Sequence, residues 1–116
     1  MSAAKAKGTR WESAVVDCLR AWGFTYAERR PLSGSKDKGD ITGIPGGPVI
    51  ECKNQSRVSL AEWLDEAHQE ARNADAPFGV VWFKRRGKTN AGSGYVLMDG
   101  ATFAALLKQA GYGGDR

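Results

Sequence analysis

Gly39-Asp40-Ile41, and after a short turn Pro48-Val49-Ile50-Glu51-Cys52-Lys53, form the stretch on which the reading of this chain depends. Both segments have the apolar, β-branched character of short strands, and Gly43-Ile44-Pro45-Gly46-Gly47 between them is rich in turn residues. Side chains alternate faces along a strand, so Glu51 and Lys53 share one face and Cys52 takes the other. If the turn folds the second strand back on the first as a hairpin-like pair, Asp40 sits beside Glu51. Two carboxylates with a lysine at their edge suit a hard divalent cation, which takes oxygen ligands and keeps bound water. Such an ion polarises a phosphate and activates that water.

Outward from this stretch the pattern alternates between helices and strands. Trp11, Val15, Cys18, Leu19 and Trp22 recur at helical spacing, which predicts a first helix over residues 9–22 stopped by Gly23. Residues 24–28 read as a first strand, and residues 29–39 as a polar loop. Residues 39–43 and 48–54 are the second and third strands. Leu60, Trp63, Leu64, Ala67 and Ala71 make one apolar stripe over residues 60–73, with Ser59 and Glu62 spaced as a capping box. After Pro77, residues 78–84 are almost continuously apolar, as expected of a strand covered on both faces. A basic turn over residues 85–93 leads to a last strand over 94–98. Asp99 then caps a short helix ending at Gly111. The predicted order is αβββαββα, an α/β fold with a mixed central β-sheet flanked by helices on both sides. There is no internal repeat and no interdomain linker.

With 116 residues, 41% of them hydrophobic and 26% charged, the chain has the size and composition of one soluble globular domain. Residues 1–7 and 113–116 are expected to be disordered ends. No apolar run approaches the roughly 20 residues that span a bilayer, and residues 1–10 lack the apolar core of a secretory signal. Cys18 and Cys52 are too few for a disulfide framework and are expected to be reduced and buried, which suits an intracellular protein. The net charge of +4 favours a polyanionic partner, because several acids are committed to the site and leave the remaining surface more basic.

Asp40 followed by Glu51-x-Lys53 resembles the PD-(D/E)XK nuclease signature, with Gly39 at the position of the signature's proline. Arg30-Pro31-Leu32-Ser33-Gly34-Ser35 resembles the basic, Ser-Gly-rich loop of archaeal-type Holliday junction resolvases, and the element order fits that subgroup. The resemblance implies a restriction-endonuclease-like core over residues 8–112. It also implies an Mg²⁺-dependent endonuclease, with Mn²⁺ as an alternative ion, that resolves four-way DNA junctions by paired nicks. The products would be a 5′-phosphate and a 3′-hydroxyl. The partners implied are branched DNA and a second copy of the chain in a homodimer, with no membrane and no small-molecule cofactor. A flap, repair or restriction-type nuclease of the same fold, and a non-catalytic basic DNA-binding module, are the alternatives.

In this reading Asp40, Glu51 and the Cys52 backbone carbonyl hold the metal. Lys53 orients or deprotonates the attacking water and stabilises charge on the phosphate. Glu12 either assists the metal through a water or closes the helix N-terminus in a Thr9-x-x-Glu12 capping box. Arg10, Arg29, Arg30, Ser33, Ser35, Lys36, Lys38 and Arg57 are candidate DNA contacts, as are Lys84, Arg85, Arg86 and Lys88, gripping phosphates rather than reading bases. Gln69 is the candidate contact from the second helix. His68, the one histidine, is read as a surface or interface residue.

Overall fold

The computed structural model describes residues 2–31 and 34–114. The elements follow the predicted order: α1 (Ala3–Ala21), β1 (Glu28–Arg29), β2 (Ile41–Thr42), β3 (Val49–Lys53), α2 (Leu60–Asn73), β4 (Gly79–Phe83), β5 (Tyr95–Leu97) and α3 (Gly100–Gln109). A short 3-10 turn, Ala91–Ser93, precedes β5.

β3 and β4 run parallel, with Glu51 opposite Val81 and Lys53 opposite Phe83, and α2 makes the crossover that a parallel pair requires. β5 returns antiparallel to β4, giving a mixed sheet of order β3-β4-β5. The two faces of this sheet are covered differently. Trp11, Val15, Val16 and Leu19 of α1 pack with Ile50, Val80 and Ala91. On the opposite face Trp63 and Ala67 of α2 close over Val81, with Phe83 beside them. Gly79 permits this approach, because a Cβ there would collide with the Ala67 carbonyl of α2. β4 is therefore covered on both faces, as its apolar run implies. Layered helices over a mixed sheet in this order form a restriction-endonuclease-like α/β fold.

Several expectations need correction. α1 begins at Ala3, not at residue 9: Ser2 caps it by accepting the Lys5 N–H, and Ala-Ala-Lys-Ala-Lys is strongly helix-forming. Residues 3–7, expected to be disordered, are thus helical, and Thr9 lies inside the helix, where it cannot serve as an N-cap. Asp115 and Arg116 of the expected tail lie outside the described residues. Trp22 ends α1 and is exposed rather than part of the buried stripe. The first strand is confined to Glu28–Arg29, because residues 24–27 make a turn closed by the Ala27 N–H on the Phe24 carbonyl. β2 ladders with β1, not with β3; the expected hairpin-like pair is reduced to one bond, Asp40 N–H to the Ile50 carbonyl at 3.0 Å. Ser59 precedes α2 without a side-chain capping bond. Cys18 and Cys52 are free, as expected, but only partly buried. Asp99 does cap α3, accepting the Thr102 N–H, and its other oxygen lies 3.4 Å from His68 Nε2 on α2. Among the described residues no helix is long and apolar enough to cross a membrane.

Candidate functional site

β3 builds the site by alternation. Ile50 and Cys52 join the apolar cluster under α1, which turns Glu51 and Lys53 toward α2. The backbone bond from Asp40 to Ile50 sets the end of the preceding loop against β3. Asp40 then accepts the Cys52 N–H through Oδ2 at 2.7 Å. The Asp40 carboxyl is thereby placed beside Glu51 although the two strands form no ladder.

Lys53 Nζ sits 3.0 Å from Glu66 Oε2 of α2 and 3.4 Å from Glu51 Oε2. Burial works against its charge, but the Glu66 hydrogen bond and the two carboxylates outweigh that, and its pKa is raised. In this arrangement Lys53 is an ammonium, suited to holding a phosphate oxygen rather than to accepting a proton.

α2 also supplies a residue that the sequence reading missed. Glu70 is 4% exposed and faces Glu51, which is 7% exposed. Glu51 Oε1 and Glu70 Oε1 are buried without a hydrogen-bond partner. The adjacent residue Gln69, the expected contact, is on the exposed side of the helix and is engaged with Asn73 and Arg72. Asp37 completes the cluster: oxygens of Asp37, Glu51 and Glu70 lie within 4.8 Å of one another.

Crowded acids in a half-dry setting hold protons. Burial, and then the charge of Glu51, push Asp40 up to about 8. Burial and Glu70 push Glu51 up to about 8. Burial, with the fields of Asp37 and Asp40, raises Glu70 to about 7. Desolvation disfavours each carboxylate and neighbouring negative charge adds to it. A divalent cation reverses both effects. The donor set, all carboxylate oxygen with unpartnered lone pairs, fits a hard cation.

Glu12 is partly buried and bonded to Arg29 Nε at 2.9 Å, and its charge still acts on Asp40. It lies beside the site as a partnered acid, and the capping-box alternative is removed by the helix start at Ala3. Arg29 is bound to Glu12, while Arg30 Nε is buried without a partner. Ser35, Lys36, Lys38 and Arg57 are exposed, and Ser33 lies outside the described residues.

The strongest basic feature is a groove of about 800 Å³. Lys7 and Arg10 of α1 form one wall and Lys84, Arg85 and Arg86 beyond β4 form the other; its lining holds no carboxylate. Asn54, Gln55 and Ser56, which directly follow Lys53, also line it. Arg85 stacks over the Tyr95 ring, 5.9 Å from its centroid, which orders the groove wall. Lys88 is exposed beside this wall and is not part of the lining.

Fold and site together define an α/β protein of the restriction-endonuclease-like class with a cluster of carboxylate oxygens suited to a hard cation. A family model described as phage putative PDDEXK endonuclease matches residues 3–110, and the chain belongs to that family. No curated protein and no solved structure matches the chain. Membership in an endonuclease family supports nuclease activity and a divalent metal.

Proposed function

We propose that this chain is an Mg²⁺-dependent DNA endonuclease that cuts four-way junctions. The observation that carries the nuclease reading is the buried, unpartnered pair of carboxylate oxygens on Glu51 and Glu70, next to Asp40 and Lys53. Unpaired buried carboxylates cost several kcal/mol unless a proton or cation compensates them, on the order of magnitude expected for buried ions. Asp40 and Glu51 hold the metal in this reading, with the Cys52 carbonyl as the backbone ligand that the resemblance implies. When bound, the ion supplies Lewis-acid polarisation of the phosphate and a water of lowered pKa. Lys53 holds the charge that develops on the phosphate oxygens, fixed in place by Glu66. Glu12 acts at the edge of the site through its charge on Asp40.

The basic groove beside Lys53 receives the phosphate backbone through Arg10, Arg85 and Arg86. The junction as substrate rests on the resemblance of the Arg30-to-Ser35 loop to the resolvases. Paired nicks on a two-fold junction require a two-fold dimer, which is part of the same proposal. Mn²⁺ serves in place of Mg²⁺, since both favour such oxygen sites.

The test is cleavage of an immobile four-way junction, a flap and a linear duplex of matched sequence, with Mg²⁺ or EDTA. Wild type is expected to make metal-dependent paired nicks at the crossover. Asp40→Asn and Glu51→Gln should be slower by about 10³-fold, the equivalent of roughly 4 kcal/mol of lost transition-state stabilisation. Equal cutting of all three substrates would replace the junction by duplex DNA in general. Salt-sensitive binding without cutting in Mg²⁺ would make the chain a binding module.

A further inference from the structure

The basic groove at the carboxyl ends of β3 and β4 has walls suited to phosphates and a floor that is not. Lys7 and Arg10 make one wall, Lys84, Arg85 and Arg86 make the other, and no carboxylate lines it. Between the walls lie Val58, Phe83 and Tyr95. Val58 is 53% exposed and Tyr95 is 48% exposed. An intact duplex meets a basic surface with its phosphates and sugars and keeps its base faces stacked inside. It therefore offers this floor no flat apolar partner.

The floor is anchored in the core. Trp63 of α2 meets Phe83 edge-on at 5.4 Å between ring centroids, and Phe83 meets Tyr95 at 5.2 Å. Three rings thus run from the buried core to the groove, and the outermost is held in place while about half of it stays open to water. The pairing of Tyr95 with Phe83 in the β4–β5 ladder fixes the ring along the groove. Arg85 lies over the same ring at 5.9 Å, at the outer limit of a cation–π contact, and is itself exposed. Asn54, Gln55 and Ser56 add amide and hydroxyl groups to the lining. The groove adjoins the acid site, because the Lys84 N–H donates to the Lys53 carbonyl at 3.0 Å. Its volume of about 800 Å³ is that of a site for a small molecule, which suits a short unpaired segment and not the width of a duplex. A positively charged track with an aromatic platform holds a single strand, since every base has a face to stack while its phosphates meet the cations.

We infer that the groove holds an unpaired DNA segment with one base stacked on Tyr95. This assignment rests on the reading of the groove as a nucleic-acid site and names the form of DNA that it takes. The base covers the open part of the Tyr95 ring and the Val58 side chain. Arg85 moves from the ring to a neighbouring phosphate, and the amides of Asn54 and Gln55 meet the base edges. Strands leave the duplex at a branch point. Tyr95 and Val58 therefore distinguish a branch from an intact arm, whereas Arg10 and Arg86 hold both alike.

The test is fluorescence anisotropy of the full chain in EDTA, with a labelled oligothymidylate and with a labelled blunt duplex, over a range of salt. Wild type is expected to bind the single strand more tightly. Tyr95→Ala should weaken that binding by about 10-fold, the stacking of one base, with an unchanged salt slope and little change in duplex binding. Tyr95→Phe should bind as wild type does. Arg86→Ala should weaken both DNA forms and lower the salt slope of each. Tyr95→Leu keeps an apolar side chain on Phe83 and takes the place of Tyr95→Ala if that variant does not fold. Single-strand binding no tighter than duplex binding, or an equal loss on both forms in the Tyr95 variant, overturns the inference. Cleavage measured in Mg²⁺ separates it from the nuclease reading. A chain that cuts DNA without a Tyr95-dependent preference keeps the nuclease and loses the unpaired segment. A chain that shows the preference and cuts no DNA form keeps the unpaired segment and loses the nuclease.

Discussion

Ile50 and Cys52 of β3 lie in an apolar cluster beneath α1, while Glu51 and Lys53, alternating with them, meet the acids of α2. One strand thus has a side that holds the fold together and a side that stores charge at a cost. On the α1 side Trp11 fills the core and donates its indole N–H to the Trp82 carbonyl at 3.0 Å. On the α2 side the apolar cluster shrinks to Trp63, Ala67 and Val81, and beside it lie Glu51 and Glu70 with unpartnered oxygens. Apolar burial stabilises regardless of what else is bound, whereas buried acids stabilise only when something positive joins them. The difference separates the residues that make the chain fold from those that make it wait for a ligand.

The largest effect is expected on the α1 side. Trp11→Ala should lose about 3–5 kcal/mol in urea unfolding, through the cavity and the lost indole bond to the Trp82 carbonyl. A loss under about 1 kcal/mol would mean that the α1 face is not the main source of stability.

The α2 side should respond in the opposite direction. Without metal, Glu51→Gln is expected to gain on the order of 1 kcal/mol near neutral pH, read as a rise of roughly 4 °C in Tm. The pH dependence has the same origin. Asp40, Glu51 and Glu70 carry folded-state values of about 8, 8 and 7, above the ordinary values of 3.8, 4.5 and 4.5. Between those limits the folded protein holds protons that the unfolded chain has released. Metal-free stability should therefore fall as pH rises from about 4 to about 8 and change little below that window. Mg²⁺ should flatten the fall by taking the place of the protons, so its Tm shift grows with pH. A metal-free Tm that rises across the window would sink this account of the acid face.

The smallest effect sharpens the contrast with the basic groove. Arg85→Ala and Arg86→Ala should each lower the salt dependence of junction binding by about one unit of slope. Neither should alter the Mg²⁺-induced shift in Tm. A change in that shift would show the groove and the acid cluster to be one coupled unit.

Much of this division was legible in the sequence. The two-residue spacing of Glu51 and Lys53 gives their shared face, and the apolar run of β4 gives its double coverage. The helix stripe of α2 was also legible, and it held an unused signal. Trp63, Ala67 and Ala71 are buried, and Glu70 falls on the same side, so a charge in that stripe marked a residue aimed inward. Gln69, chosen instead, lies one position, or about 100° of helix, away and faces outward. Asp37 carried no local signal, because its position depends on Asn73, thirty-six residues further along the chain. The early start of α1 was readable in its alanines and in Ser2, but the nearer Thr9-x-x-Glu12 pattern competes for the same role. The pairing of β2 with β1 was not legible, since two-residue strands have too little alternation to fix a partner.

Gly39 makes this chain's departure from the family signature self-locking. Its φ is +94°, and a Cβ there would come 2.6 Å from Val49 Cγ1. A proline, with φ fixed near about −65° and no N–H, could adopt neither this backbone nor the bond to Asp37. Consensus engineering that restored the signature's proline would re-aim the loop and release Asp37 in one step. The glycine and the acid two residues before it are thus a linked pair of letters, and exchanging one commits the lineage, or the designer, to rewriting the other.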